Sequence, residues 1–110
     1  MLTAKIILPL PGEFSQANKK LSDAHDWLEH ALVRNFDGFT IVDGRGAWNN
    51  GQITIIERVR IYYVTIDPLP VNVRVLREIV QHLVDTSGEE CIYFRDTDGH
   101  ISFITPERKI

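Results

Sequence analysis

The stretch QITIIERVRIYYVTID, Gln52–Asp67, is β-branched and aromatic over most of its length, the composition of a pleated, packed strand. Beyond Val59 both parities are largely apolar, so this strand is expected at the centre of a sheet covered on two faces. It ends at Asp67-Pro68-Leu69-Pro70, where prolines withhold the N–H groups that a ladder needs. Upstream, Phe39–Val42 is short and apolar, and the DGRGAWNNG that follows carries three glycines and the turn pairs Asp43-Gly44 and Asn50-Gly51. That composition predicts a strand running into a long hairpin loop over residues 43–51.

The flanking segments fix the rest of the order. Residues 3–10 (TAKIILPL) alternate Ala4, Ile6, Leu8 and Leu10 before Pro11-Gly12 interrupts, which predicts an opening strand. From Ser15 to Arg34 the apolar residues are Ala17, Leu21, Ala24, Leu28, Ala31 and Leu32, one face of a helix with Ser15 as N-cap and Asp37-Gly38 as the stop. Val73, Leu76, Ile79, Val80, Leu83 and Val84 predict a second helix over residues 72–86, capped by Asn72 and ended at Gly88. Two strand-like runs, ECIYFRD and HISFIT, close the chain around a Thr97-Asp98-Gly99 turn. The order β-α-β-β-α-β plus one terminal strand is that of a ferredoxin-like α/β sandwich, an antiparallel sheet with two helices on one face. A single domain over residues 1–110 is expected. Ile7 and the second apolar parity of the central strand imply that the other sheet face is also covered, most economically by another copy of the chain.

Composition narrows the function classes. The 110 residues are 44% hydrophobic and 25% charged, with 15 acidic against 12 basic residues and a net charge of −3. No global field gathers nucleic acid or an anionic membrane, so neither partner is expected. The lone Cys91 cannot close an intramolecular disulfide. No basic, apolar leader opens the sequence, and no apolar run approaches the roughly 20 residues of a membrane span. A cytoplasmic protein is the expectation.

The run FDGFTIVDGRGAWNNGQITIIERVRIYYV, with Gly38-Phe39-Thr40, Gly46-x-Trp48, Gly51 and Glu57 leading into an apolar strand, resembles small uncharacterised proteins with PII-like or CutA-like ferredoxin folds. The resemblance implies a homotrimer packed sheet against sheet. It also implies a small-molecule ligand, nucleotide-like in PII-type members, held in clefts between subunits near the loop joining the second and third strands. A basic, phosphate-binding pattern after the second helix is missing here. Glu57 at the start of the long strand and Glu90-Cys91-Ile92-Tyr93 after the second helix are similar to phage-type S-adenosylmethionine lyases. That resemblance implies cleavage of a sulfonium substrate between subunits, with acidic residues helping to place it; Glu57 carries over.

Glu57 shares the parity of Ile53, Ile55, Val59, Ile61 and Tyr63, so a regular strand holds a carboxylate on an apolar face, where an unpaired charge is costly. Either it is a catalytic or ligand-contacting group in an intersubunit cleft, or it pairs with Arg45, Arg58 or Arg60, or a bulge turns it to solvent. Trp48 either packs or stacks on a planar ligand. Arg45, between Gly44 and Gly46, either meets an anionic group as a forked donor or is a solvated loop residue. Arg58 and Tyr62 complete the expected ligand contacts, beside Arg45, Gly46 and Trp48. No metal site is expected: His25 and His30, five residues apart, diverge on a helix. Cys91 is read as a small buried strand residue. The sequence names no cofactor.

Overall fold

The computed structural model describes residues 2–12, 16–49 and 51–107. Ser15 and Asn50, expected at a helix cap and a turn, lie outside them, as does the side chain of Ala17. The elements are β1 (Leu2–Pro9), α1 (Gln16–Asn35), β2 (Gly38–Asn49), β3 (Thr54–Ile66), α2 (Pro70–Ser87), β4 (Ile92–Arg95) and β5 (Ile101–Ile104). They form one antiparallel sheet in the order β2-β3-β1-β4-β5, with both helices on one side. This is the mixed α/β architecture of a ferredoxin-like sandwich, extended by a strand.

Strand alternation builds the core. Ala4, Ile6 and Leu8 of β1, Tyr62, Val64 and Ile66 of β3, and Ile92 and Phe94 of β4 all point toward the helices and are buried. Leu21, Ala24, Leu28 and Leu32 of α1 and Leu76, Ile79, Val80, Leu83 and Val84 of α2 meet them, the same residues whose three- and four-residue spacing predicts the helices.

Two local expectations fail. Residues 43–49 are not a loop: β2 runs unbroken to Asn49, pairing Asp43 with Arg60, Gly46 with Glu57 and Asn49 with Thr54. Of Gly44, Gly46 and Gly51 only Gly51 has a positive φ, 94°, so Gly44 and Gly46 serve the ladder as extended residues. Their value lies in absent side chains: a Cβ on Gly46 would stand 3.5 Å from the Trp48 ring and from Val59, so the bare backbone lets the indole fold back over its own strand. At the second helix, Asn72 is not the cap. α2 begins at Pro70 after an extended Leu69 (φ −76°, ψ 142°) that makes no side-chain cap bond, because proline at the first helical position has a preset φ and no N–H to satisfy. Asn72 instead ties the first turn to the preceding loop, donating to the Asp67 carbonyl at 3.1 Å. Gly88, with φ 82°, ends α2 in the left-handed conformation as expected.

The sheet face away from the helices carries Ile7, Ile61, Tyr63, Tyr93 and Phe103, partly or largely exposed. Among the described residues no element covers it. Among them, too, no helix is long and apolar enough to cross a membrane.

Candidate functional site

At one end of that open face the chain forms a cleft of about 530 Å³, within the range of small-molecule sites. Its placement follows from the ladders. Pro9 ends β1 opposite Val59, while Ile7 lies opposite Tyr93, so the end of β1, the first half of β3 and the start of β4 converge. Ile7, Pro9, Ile55 and Val59 form the floor, with Trp48, Tyr93 and Phe103 as aromatic walls. The Tyr93 and Phe103 rings meet edge to face, centroids 5.9 Å apart.

Three carboxylates line this cleft: Glu57, Glu89 and Glu90. Glu57 stays in strand register opposite Gly46, so no bulge turns it away. It accepts a 2.6 Å hydrogen bond from the Trp48 indole N–H, a charge-assisted contact. Among the described residues no ion pair joins it to an arginine. Arg60 pairs instead with Asp43 at 2.8 Å and lies 3.6 Å from Glu29. Glu89 follows the left-handed Gly88 directly, so the end of α2 delivers the Glu89-Glu90 pair to the cleft. Burial raises the Glu89 carboxyl above the ordinary carboxylate range, and the like charges of Glu57 and Glu90 raise it further. No Lys, Arg or His is among the described residues lining the cleft.

Of the residues expected from the sequence, the structure brings Glu57 and Trp48 together, with Gly46 beneath the indole. Arg45 and Arg58 face one another in register on the opposite side of the β2–β3 pair, because strand neighbours alternate faces. Tyr62 is fully buried in the core, its hydroxyl between His25 and Glu29. Cys91 is exposed and free; it precedes β4 rather than sitting inside it, and lines the cleft. The histidines stay apart: His30 bonds the Asp26 carbonyl at 2.7 Å, and His82 stacks on Trp27 at 4.2 Å. Among the described residues no three His, Cys, Asp or Glu side chains gather to hold a metal ion.

Glu89 and Phe103 were not singled out by the sequence pattern, whereas Glu90, Cys91 and Tyr93 belong to the stretch that carried the lyase resemblance. The available signal was Gly88: a helix stopped by a left-handed glycine must place the next two residues close to its end, and here both are acidic.

No protein-family model matches the chain, and no curated protein matches it. Two solved structures do. A phage SAM lyase in complex with S-methyl-5′-thioadenosine aligns over 99% of this chain and 92% of its own, with a TM-score of 0.64 and 14% identity. A phage SAM lyase in the apo state aligns over the same shares with a TM-score of 0.63 and 16% identity. At such identities the likeness is one of fold, and the chain has that fold from end to end.

Proposed function

We propose that the chain is an S-adenosylmethionine lyase-like enzyme whose cleft takes a cationic sulfonium compound with a flat, partly apolar body. One observation carries this reading: among the described residues, three carboxylates and no basic side chain line a cleft with aromatic walls. Aromatic faces attract cations and stack on planar rings, and the carboxylates supply the opposite charge. A phosphate-bearing nucleotide meets repulsion in the same place. The regulatory PII-type reading also loses its support, since residues 43–49 of the loop that would have held its ligand are strand. The shared fold of the phage SAM lyases supports the choice of sulfonium chemistry.

The chemistry suits this lining. When a carbon–sulfur bond of a sulfonium breaks, the electron pair stays on sulfur, which leaves as a neutral thioether and needs no proton. In a lyase no second reactant enters, so the substrate itself supplies the group that replaces the bond, by an internal nucleophile or by loss of a neighbouring proton. Positive charge disappears at sulfur on the way to the transition state. A carboxylate held against sulfur would therefore stabilise the ground state more. The productive arrangement sets apolar and aromatic surface around sulfur and the carboxylates against the part of the substrate that stays cationic or donates hydrogen bonds. Glu57, oriented by the Trp48 N–H, is the residue placed to do this. A homotrimer with the open sheet faces packed together would close the cleft from water, and a cytoplasmic setting, where S-adenosylmethionine is made, completes the proposal.

The test is incubation with S-adenosylmethionine followed by mass spectrometry. Release of S-methyl-5′-thioadenosine supports the lyase reading; binding without turnover reduces it to a binding module. Neither binding nor product overturns both.

A further inference from the structure

His25 is buried, 4% exposed, on the sheet side of α1. Its Nε2 lies 2.7 Å from the Pro9 carbonyl oxygen and its Nδ1 2.6 Å from the Tyr62 hydroxyl. That hydroxyl is 2.9 Å from a carboxyl oxygen of Glu29. A carbonyl only accepts, so Nε2 carries a hydrogen. Tyr62 then stands with one hydroxyl proton between an imidazole nitrogen and a carboxylate. With a neutral imidazole and an ionised Glu29 both flanking groups are acceptors, and one proton serves only one of them. The other contact would set two lone pairs against each other at hydrogen-bond distance. All three contacts close with one further proton. Either Nδ1–H donates to Tyr62, which donates to Glu29, or the Glu29 carboxyl donates to Tyr62, which donates to Nδ1.

We infer that His25, Tyr62 and Glu29 hold one shared proton, and that its release to solvent works as a pH-operated latch between α1 and the sheet behind the cleft. The inference does not depend on the lyase reading. Tyr62 is the relay and keeps its own proton, because burial and the Glu29 carboxylate push its phenol well above the usual range. Glu29 on α1, Arg60 on β3 and Asp43 on β2 are the charged groups around the imidazole, and the Pro9 carbonyl closes its β1 side. Burial outweighs the rest and lowers the His25 imidazole below its ordinary range; Arg60 acts the same way, while the Pro9 contact, Glu29 and Asp43 favour the charge. When the proton leaves, the Tyr62 hydroxyl turns to Nδ1, which is buried. Glu29, whose side chain is 30% exposed, turns to Arg60, 3.6 Å away, and to water. Pro9, whose carbonyl His25 holds, lines the cleft on the other side of the sheet, so the latch sits directly behind the site's floor.

The intact chain is titrated from about pH 4 to 8, the imidazole range and the stretch below it into which burial lowers His25, while the ¹⁵N shifts of the His25 ring and the ¹³C shift of the Glu29 carboxyl are followed. The expected result is one midpoint at which both signals move together, with Nε2 protonated throughout. Glu29→Gln removes the need for the extra proton, since its amide donates to Tyr62 and Tyr62 donates to Nδ1. In that variant the transition vanishes and His25 stays neutral. Below the midpoint the folded wild type holds a proton that the folded Glu29→Gln variant lacks. The wild-type folding constant, taken relative to that of Glu29→Gln, therefore falls by up to roughly tenfold per unit as pH rises toward the midpoint. Titration of His25 with Glu29 unmoved, or the same transition in Glu29→Gln, overturns the latch.

Discussion

The Trp48 indole N–H and the Glu57 carboxylate, on adjacent strands of one hairpin, are joined at 2.6 Å, so the cleft's aromatic plate and its central charge are a single oriented unit. Replacing Glu57 by Gln keeps an oxygen for the indole and removes the charge. Binding and turnover of S-adenosylmethionine should be lost, while stability changes by no more than about 1 kcal/mol, as for a partly exposed polar contact. Thermal melts run beside the product assay check this. A large fall in melting temperature would make Glu57 a structural residue.

Trp48 should report occupancy. Trp27 stacks on His82 and gives a second emission, so the titration belongs in a Trp27→Phe background. Saturating S-adenosylmethionine should then shift Trp48 emission. Binding detected by calorimetry with unmoved Trp48 emission would place the ligand elsewhere.

Glu89 makes binding of a cation pH-dependent. Its carboxyl holds a proton above the ordinary carboxylate range because it is buried and faces Glu57 and Glu90. As pH rises through that raised value Glu89 becomes charged, so affinity for a sulfonium should climb and then level. Stability shifts the opposite way over the same window, since the folded chain binds the proton more tightly than the unfolded chain. Glu89→Gln should flatten both profiles, and calorimetry and urea melts across acid to neutral pH measure them.

The open sheet face should bring copies together. Val42, at 47% exposure, and Phe103, at 57%, lie on the same face as the cleft, and sedimentation equilibrium should show a trimer at micromolar concentration. A monomer there would remove the intersubunit closure of the cleft.

Periodicity carried the fold. The same residues that repeat at helical spacing, Leu28 and Leu32 or Val80 and Leu83, are the ones buried against alternating Ile6, Leu8 and Val64, because burial is what selects such patterns. Parity also separated Glu57 from Arg58 and Tyr62, and grouping all three in one site overlooked the alternation that a regular strand imposes. Gly44 and Gly46 misled for a different reason: glycine marks both a turn and a strand position that something bulky must cross, and composition does not distinguish the two. Phe103 was beyond local reading, since only the β1–β4–β5 pairing brings it to the hairpin.

None of the described residues from Gly44 to Arg58 is fully buried, for this half of the hairpin extends past the helices that back the rest of the sheet. With little packing to lose, its backbone bonds should open at lower free energy than those of the strands over the core. Trp48 and Glu57 ride on that arm, whereas Tyr93 and Pro9 belong to strands anchored over the core. The cleft is thus a jaw with one fixed and one breathing side, and a ligand gripped between them would slow amide exchange along the arm while leaving the anchored strands as they were.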